Sequence, residues 1–274
     1  MSTVGQILAA EVKEGLPQRK KDTHKGDFGH VLVIGGDYGM AGAVRLAAEA
    51  AARVGAGLVS VGSRPEHRDI VTAVRPELMC HAISNQSELS SLINKASVMV
   101  LGPGLGQSDW SRMLCQTAVN VGLPMVVDAD GLNWLSQHPS NKDNWILTPH
   151  PGEAARLLAA PNQEVQTNRI KAVEQIQKKY GGVCVLKGCN TLVKGHQLGI
   201  CHAGNPGMAS GGMGDVLSGI IAGLVAQSVS LEAAARVGVW LHATAADLAA
   251  KKWGERGLLA LDLLPYVREL INVR

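Results

Sequence analysis

The chain has 274 residues, 46% apolar and 18% charged, with a formal net charge of +3. That length suits one large domain or two small ones with a substantial core, and the short basic run Arg19–Lys20–Lys21 is too small for a nucleic-acid-binding face. No uncharged apolar stretch reaches the length of a membrane span, the N-terminus lacks the build of a secretory signal, and the five cysteines contain no C-x-x-C pair, so they read as mostly buried, reduced thiols of a cytoplasmic protein.

Residues 1–28 are polar and broken by Gly15, Pro17 and Gly26. They read as an arm leading into a body at 29–274. From His30 onward, short apolar runs recur at 30–36, 57–62, 96–102, 124–130, 144–149 and 182–187. Each holds a few consecutive Val, Ile or Leu residues and stops at Gly, Asp, Pro or Lys. Such runs suit strands buried on both faces of a parallel sheet. The Ala-rich stretch 40–55 predicts a helix whose charges, Arg45, Glu49 and Arg53, stand at four-residue spacing as its wet stripe. Further helices are predicted at 108–121, 163–179, 209–226, 231–251 and 262–272. Residues 191–195 and 197–203 read as a hairpin turning at Gly195 and His196 near one sheet edge. Strand–helix alternation gives an α/β fold with right-handed crossovers and one domain body. Ligands bind beyond the carboxyl ends of the strands in such sheets, so the polar residues that end the runs are the candidates for chemistry.

The first glycine turn, GGDYGMAGA (35–43), does not have G-x-G-x-x-G spacing, which argues against a dinucleotide fold of the dehydrogenase type. GPGLG (102–106) fits a ligand turn or a tight strand-to-helix turn alike. GGMGD (211–215) carries more glycine than a cap needs, and helical spacing starts at once, with Val216, Ile220 and Leu224 on one line. Open N–H groups and the helix dipole there make an anion site. Asp215 in that first turn is either a helix-start aspartate or a catalytic carboxylate. In TPHPGEA (148–154), His150 stands between two prolines at a strand end, with Glu153 in the first turn of the helix that follows. Asp128, Asp130 and Asn133 end another strand; such carboxylates hold Mg²⁺ through water or cap the next helix. Lys187, beside Gly188, either contacts phosphate or snorkels to solvent.

Taken together, the words HKGDFGHVLVIGG, YGMAGAVRLAAEAAARVGAGLV, LGPGLG, VVDADGLN, LTPHPGE, LKGCNT and NPGMASGGMGDVLSGIIAGLVAQ stand in one familiar order. From about His24 to the C-terminus the sequence resembles the ADP/ATP-dependent NAD(P)H-hydrate dehydratases, the carbohydrate-kinase-like half of a nicotinamide nucleotide repair system. The resemblance implies a ribokinase-like three-layer α/β/α fold with a central, mostly parallel sheet. It assigns Ala43, Gly106, His150 and Asp215 to the hydrated nicotinamide nucleotide, and Lys187, Gly188, Cys189, Asn190, Thr191 and Gly214 to ADP or ATP. Asp215 is the implied base, Mg²⁺ travels on the nucleotide, and Glu153 is its implied water-mediated partner. The H-x-x-E of His150 and Glu153 is similar to the N-x-x-E of small-molecule kinases. Many relatives have Thr where this chain has Met213, which removes any hydroxyl contact there.

The implied reaction is ADP-dependent dehydration of the S epimer of NAD(P)H hydrate, giving AMP and phosphate. Relatives often carry an epimerase half in front, for which this chain has no room; it is expected to be a stand-alone member or one half of such a fusion, working with an epimerase. A homotetramer is implied as well. Two other classes compete: a vitamin-precursor kinase of the same fold, and a non-catalytic nucleotide-binding module. AGA at 41–43 with PHPGE favours the dehydratase over the first, and Asp215 weighs against the second.

Overall fold

The structure is a computed structural model that describes residues 4–272. The chain opens with β1 (Val4–Gln6) and α1 (Ala10–Gly15). Then come β2 (His30–Ile34), α2 (Ala41–Val54), β3 (Leu58–Ser63), α3 (Arg68–Val74), β4 (Met79–Ala82) and α4 (Gln86–Ile93). The alternation continues through β5 (Val98–Leu101), α5 (Asp109–Val119), β6 (Met125–Val127), α6 (Ala129–Gln137), β7 (Trp145–Leu147) and α7 (Pro151–Leu158). Helices α8 (Asn162–Thr167) and α9 (Arg169–Tyr180) precede β8 (Val183–Leu186), β9 (Thr191–Lys194) and β10 (Leu198–Cys201). Three helices follow: α10 (Met213–Ala226), α11 (Leu231–Trp253) and α12 (Leu263–Ile271).

The strands form one sheet in the order β1-β10-β9-β8-β7-β6-β5-β2-β3-β4. All pairings are parallel except those of β9, which runs against both β8 and β10. Alternate residues of each central strand feed separate cores. Val31, Val33, Val98, Val100, Val126, Ile146 and Val185 join the core under α2, α10, α11 and α12. Leu32, Ile34, Met99, Leu101, Met125, Leu147 and Cys184 join the one under α4, α5, α6, α7 and α9. That two-sided demand is why these strands are written as unbroken apolar runs. The expected three-layer α/β/α architecture and the edge hairpin are both present.

Several expectations change. The Arg45, Glu49, Arg53 stripe is not a wet face throughout: Glu49 is 3% exposed, because Arg75, just past α3, folds over α2 and pairs with it. The helix read at 163–179 is two helices, broken at Asn168 (φ −124°, ψ 51°). The one read at 209–226 starts at Met213, because Gly212 is left-handed (φ 89°) and ends the loop before it. Strand β4 and helices α3 and α4 carried no long apolar run. In the segment read as an arm, β1 is the edge strand and pairs with β10, Ile7 is buried, and Glu11 takes two bonds from Arg236, Nε at 2.5 Å and Nη2 at 2.8 Å.

The site is positioned by the packing of α10 on α2. A Cβ on Gly219 would stand 2.0 Å from the Ala47 carbonyl oxygen, and one on Gly223 would stand 2.3 Å from Val54 Cγ1. Small residues on both helices let the backbones touch, which holds the first turn of α10 against the carboxyl edge of the sheet. Gly219→Ala must push that backbone apart, so it is expected to cost about 1–3 kcal/mol and lower Tm by several degrees. Gly122→Ala, which meets open space, is expected to leave Tm unchanged in the same calorimetric comparison.

Candidate active site

Strand order reverses between β2 and β5, which are neighbours although β3 and β4 intervene in sequence. A crevice opens beyond the strand ends at such a point. The loops leaving β2 and β5 line it and are tied together: Gly36 N–H donates to Pro103 O at 2.9 Å and Asp37 N–H to Gly104 O at 2.6 Å. A Cβ on Gly104 would stand 2.7 Å from Met40 Cβ and 3.0 Å from Ala43 Cβ. That close approach puts Ala43, at the start of α2, on one wall with the Gly102–Gly106 turn. The Gly106 N–H donates to Asp130 Oδ2 at 2.8 Å.

At the ends of β6, β7 and β8 lies the charged centre. Asp128 is 1% exposed and caps α6 by accepting from Ala129 N–H at 2.9 Å. The same Oδ1 accepts from Lys187 Nζ at 2.7 Å, and Oδ2 accepts from the Ser218 hydroxyl at 2.6 Å. Glu153 is also buried; its Oε2 accepts from the His150 N–H at 2.7 Å and lies 3.7 Å from Lys187 Nζ. His150 caps α7: its Nδ1 accepts from Gly152 N–H at 2.9 Å. The ring proton is therefore assigned to Nε2, which stands 3.4 Å from Glu153 Oε1. Above this centre, the first turn of α10 brings Gly214 so close that a Cβ there would lie 3.3 Å from Lys187 Nζ. Asp215 follows it, half-buried.

Three carboxylates thus surround one ammonium, and they do not ionise equally. Burial opposes the charge on Asp128, but Lys187 and the Ser218 hydroxyl outweigh it and hold the carboxyl below the usual range. Burial also works against the Lys187 ammonium, yet Asp128 and Glu153 keep its pKa raised. Burial pushes Glu153 up. Asp215 is left with the least compensation: burial, then the charge of Asp128, push it up to about 7, with Lys187 only partly opposing. His150 is held below the ordinary imidazole value by burial and by the nearby Lys187 and Arg156 charges, so it is neutral at pH 7.

The β8–β9 turn carries Gly188, Cys189 and Asn190 before Thr191 opens β9. Asn190 is left-handed (φ 55°), and Thr191 Oγ donates to Gly188 O at 2.9 Å. The Arg169 guanidinium braces the turn from below through Leu186 O at 3.2 Å and Asn190 O at 3.4 Å. Cys189 is exposed, whereas the other four cysteines are buried. Met213 is 6% exposed and packs in the α2-side core, so the departure from Thr falls on a core side chain. The structure gathers Lys187, Gly214, Glu153, His150 and Asp128 at one point. Ser218 and Arg169 were not among the sequence candidates; each acts through a partner distant in the chain, and neither belongs to a glycine-rich word.

The family described as Carb_kinase, NAD(P)H-hydrate dehydratase, matches residues 31–268 of this chain. The chain belongs to this family. Among NAD(P)H-hydrate dehydratase relatives, it is 59% identical to the bifunctional NAD(P)H-hydrate repair enzyme Nnr of Coxiella burnetii, over 94% of this chain and 53% of that protein. It is 39% identical to the ADP-dependent (S)-NAD(P)H-hydrate dehydratase of Neisseria meningitidis, over 93% of this chain and 88% of that protein. It superposes on the Bacillus subtilis ADP/ATP-dependent NAD(P)H-hydrate dehydratase co-crystallised with ATP/Mg²⁺ with a TM-score of 0.86, 26% identity, and 98% of each chain covered. The chain spans about half the length of the first curated relatives it matches. The fold is ribokinase-like, as the resemblance implied.

Asp128→Ala is expected to strand the Lys187 ammonium in a largely buried place and cost about 3 kcal/mol or more, read from urea unfolding. Asp215→Asn is expected to do the reverse. An acid whose folded pKa lies above its unfolded value loses stability as pH rises from the unfolded pKa to the folded one. The penalty is therefore complete above about 7. The variant should gain about 1 kcal/mol or more at pH 8 and less at pH 5.

Proposed function

We propose that this chain performs ADP-dependent dehydration of the S epimer of NAD(P)H hydrate, releasing NAD(P)H, AMP and phosphate. The observation that carries the reading is Asp215, pushed up to about 7 in the first turn of α10 and adjacent to the Gly214 that overlies Lys187. A general base works best when its pKa lies near the working pH. Hydroxide is a poor leaving group and phosphate a good one. Asp215 takes the proton of the ring hydroxyl as its oxygen bonds to the β-phosphorus of ADP, and the bond to AMP breaks. The ring nitrogen's electron pair then expels phosphate, and loss of a proton from the neighbouring carbon restores the double bond.

In this reading the adenine nucleotide lies along Lys187, Gly188, Cys189, Asn190, Thr191 and Gly214. The free N–H groups of the α10 first turn and the Lys187 ammonium stabilise charge on the moving phosphoryl group. The hydrated ring sits against Ala43, Gly106 and neutral His150. In this reading Mg²⁺ is brought in on phosphates and waters, with Glu153 behind it. Glu153 would hold the ion through water, and the ion would draw charge from the phosphates. An epimerase that supplies the S epimer is the proposed functional partner. A cytoplasmic homotetramer belongs to the same reading.

The test is to mix the protein with ADP and enzymatically hydrated NADH and follow recovery of the reduced-nicotinamide absorbance. Turnover is expected to rise with pH through an apparent pKa near 7 and then level off, because the base must be ionised. Asp215→Asn should lose roughly 100-fold or more in kcat while still binding ADP. No recovery with ADP or ATP, together with ATP-dependent phosphorylation of a vitamin-precursor alcohol, would move the chain to the kinases of this fold.

A further inference from the structure

The proposed substrate is a dinucleotide and brings at least two phosphate charges. The wall assigned to it supplies little to meet them. Ala43 and Gly106 are uncharged, His150 is neutral, and Asp130 and Asp215 are acids. Two cations near the site are already engaged: Arg64 donates to Asp37 at 2.8 Å and lies over the Trp110 ring, and Arg169 is turned onto backbone carbonyls. Arg156 differs. It is exposed on α7, one turn beyond Gly152, and its Nη1 would stand 4.0 Å from a Cβ at Gly152. Only its Nε is used, donating to Asn133 Oδ1 at 2.7 Å, and among the described residues no carboxylate oxygen lies within 4.0 Å of its guanidinium.

The Asn133 bond is one link of a chain. The Asn133 amide N–H donates to Asp130 Oδ1 at 3.0 Å, and the other Asp130 oxygen accepts the Gly106 N–H at 2.8 Å. Both ends of the Asn133 amide are committed, so its orientation is set. Arg156 is thereby registered to the Gly102–Gly106 turn across α6 and α7, and among the described residues neither Nη group makes a hydrogen bond. Beside it lies an open depression of about 720 Å³, kept clear by Gly152, Ala155 and Ala159.

We propose that Arg156 binds a phosphate group of the hydrated dinucleotide, and that the rest of that molecule runs over Gly152 into the depression along α7. This rests on the dehydratase reading above. A guanidinium offers paired donors that match phosphate oxygens, and the bond chain fixes its distance from the ring held at Gly106 and His150. Arg156 is a binding residue with no part in the chemical step. The phosphate is either the pyrophosphate common to both substrates or the 2′-phosphate of the NADPH form.

The experiment compares wild type, Arg156→Gln, Arg156→Lys and Asn133→Ala in steady-state kinetics with hydrated NADH and hydrated NADPH, and in direct titrations with the products NADH and NADPH. Loss of a charge-assisted contact should raise KM in Arg156→Gln on the order of tenfold. The product dissociation constants should rise by the same factor, with kcat and the KM for ADP unchanged. Arg156→Lys should fall between, and Asn133→Ala should show a smaller rise of the same kind. Equal effects on both substrates place the pyrophosphate at Arg156; an effect confined to the NADPH pair places the 2′-phosphate there. Unchanged KM and product affinity, a loss confined to kcat, or weakened ADP binding instead would each overturn the assignment. A wild type that binds NADPH through Arg156 yet restores no hydrated NADH would sink the activity reading and leave the phosphate site standing.

Discussion

The Lys187–Asp128 ion pair ties the end of β8 to the end of β6 across 59 residues of sequence. Its Coulomb energy alone would not offset taking two charges out of water. The remaining bonds make it tenable. Ser218 completes Asp128 from α10, the Ala129 N–H completes it from α6, and Glu153 approaches Lys187 from α7. Three helices and two strands therefore converge on one point of positive charge. Asp215, the last carboxylate to arrive, finds that charge already shared. Its reluctance to ionise follows first from burial and then from the charge of Asp128, with Lys187 only partly opposing them.

A second constraint sets where Asp215 can be. Helix α10 reaches the site only because Gly219 and Gly223 let it lie against the backbone of α2. Helix α2 also begins at the crevice, with Ala43 in its first turn. These two closely packed helices thus carry two parts of the proposed site. A change in their separation would move Asp215, the proposed base, relative to the wall proposed for the substrate. Stability is given up at the same place: Asp215 is kept partly protonated, and its helix opens on a left-handed glycine with no side-chain cap. Natural sites commonly concentrate such local conflicts where the chemistry happens.

Much of this was legible in order of residues alone. Unbroken valine and leucine runs announced buried parallel strands, and the polar residue at each run's end marked the active edge. The words GGMGD and HPGE could be read because their meaning is local: glycine supplies open amides, and His150 with Glu153 caps the helix it begins. Ser218 and Arg169 could not be read that way. A serine inside an apolar helix and an arginine at a helix start have many uses, and their partners stand 90 and 17 residues away. Glu49 was misread for the same reason: its spacing fits a solvated stripe, and only Arg75 folding over it makes it buried. The edge strand β1 leaves no trace in the pattern because its residues are exposed.

By itself the sequence determined the layers, the run of strands and helices, and the words that line the site. Each of these depends on periods of a few residues or on the backbone freedom of single glycines. Only the tertiary structure decided which carboxylate is paired, which is a cap and which is left near neutrality. Those properties depend on distances between charges drawn from strands and helices far apart in the chain, and on how much water each charge has lost. The registration of Arg156 to Gly106 through Asp130 and Asn133 is of the same kind. It exists only once α6, α7 and the β5 turn have packed side by side.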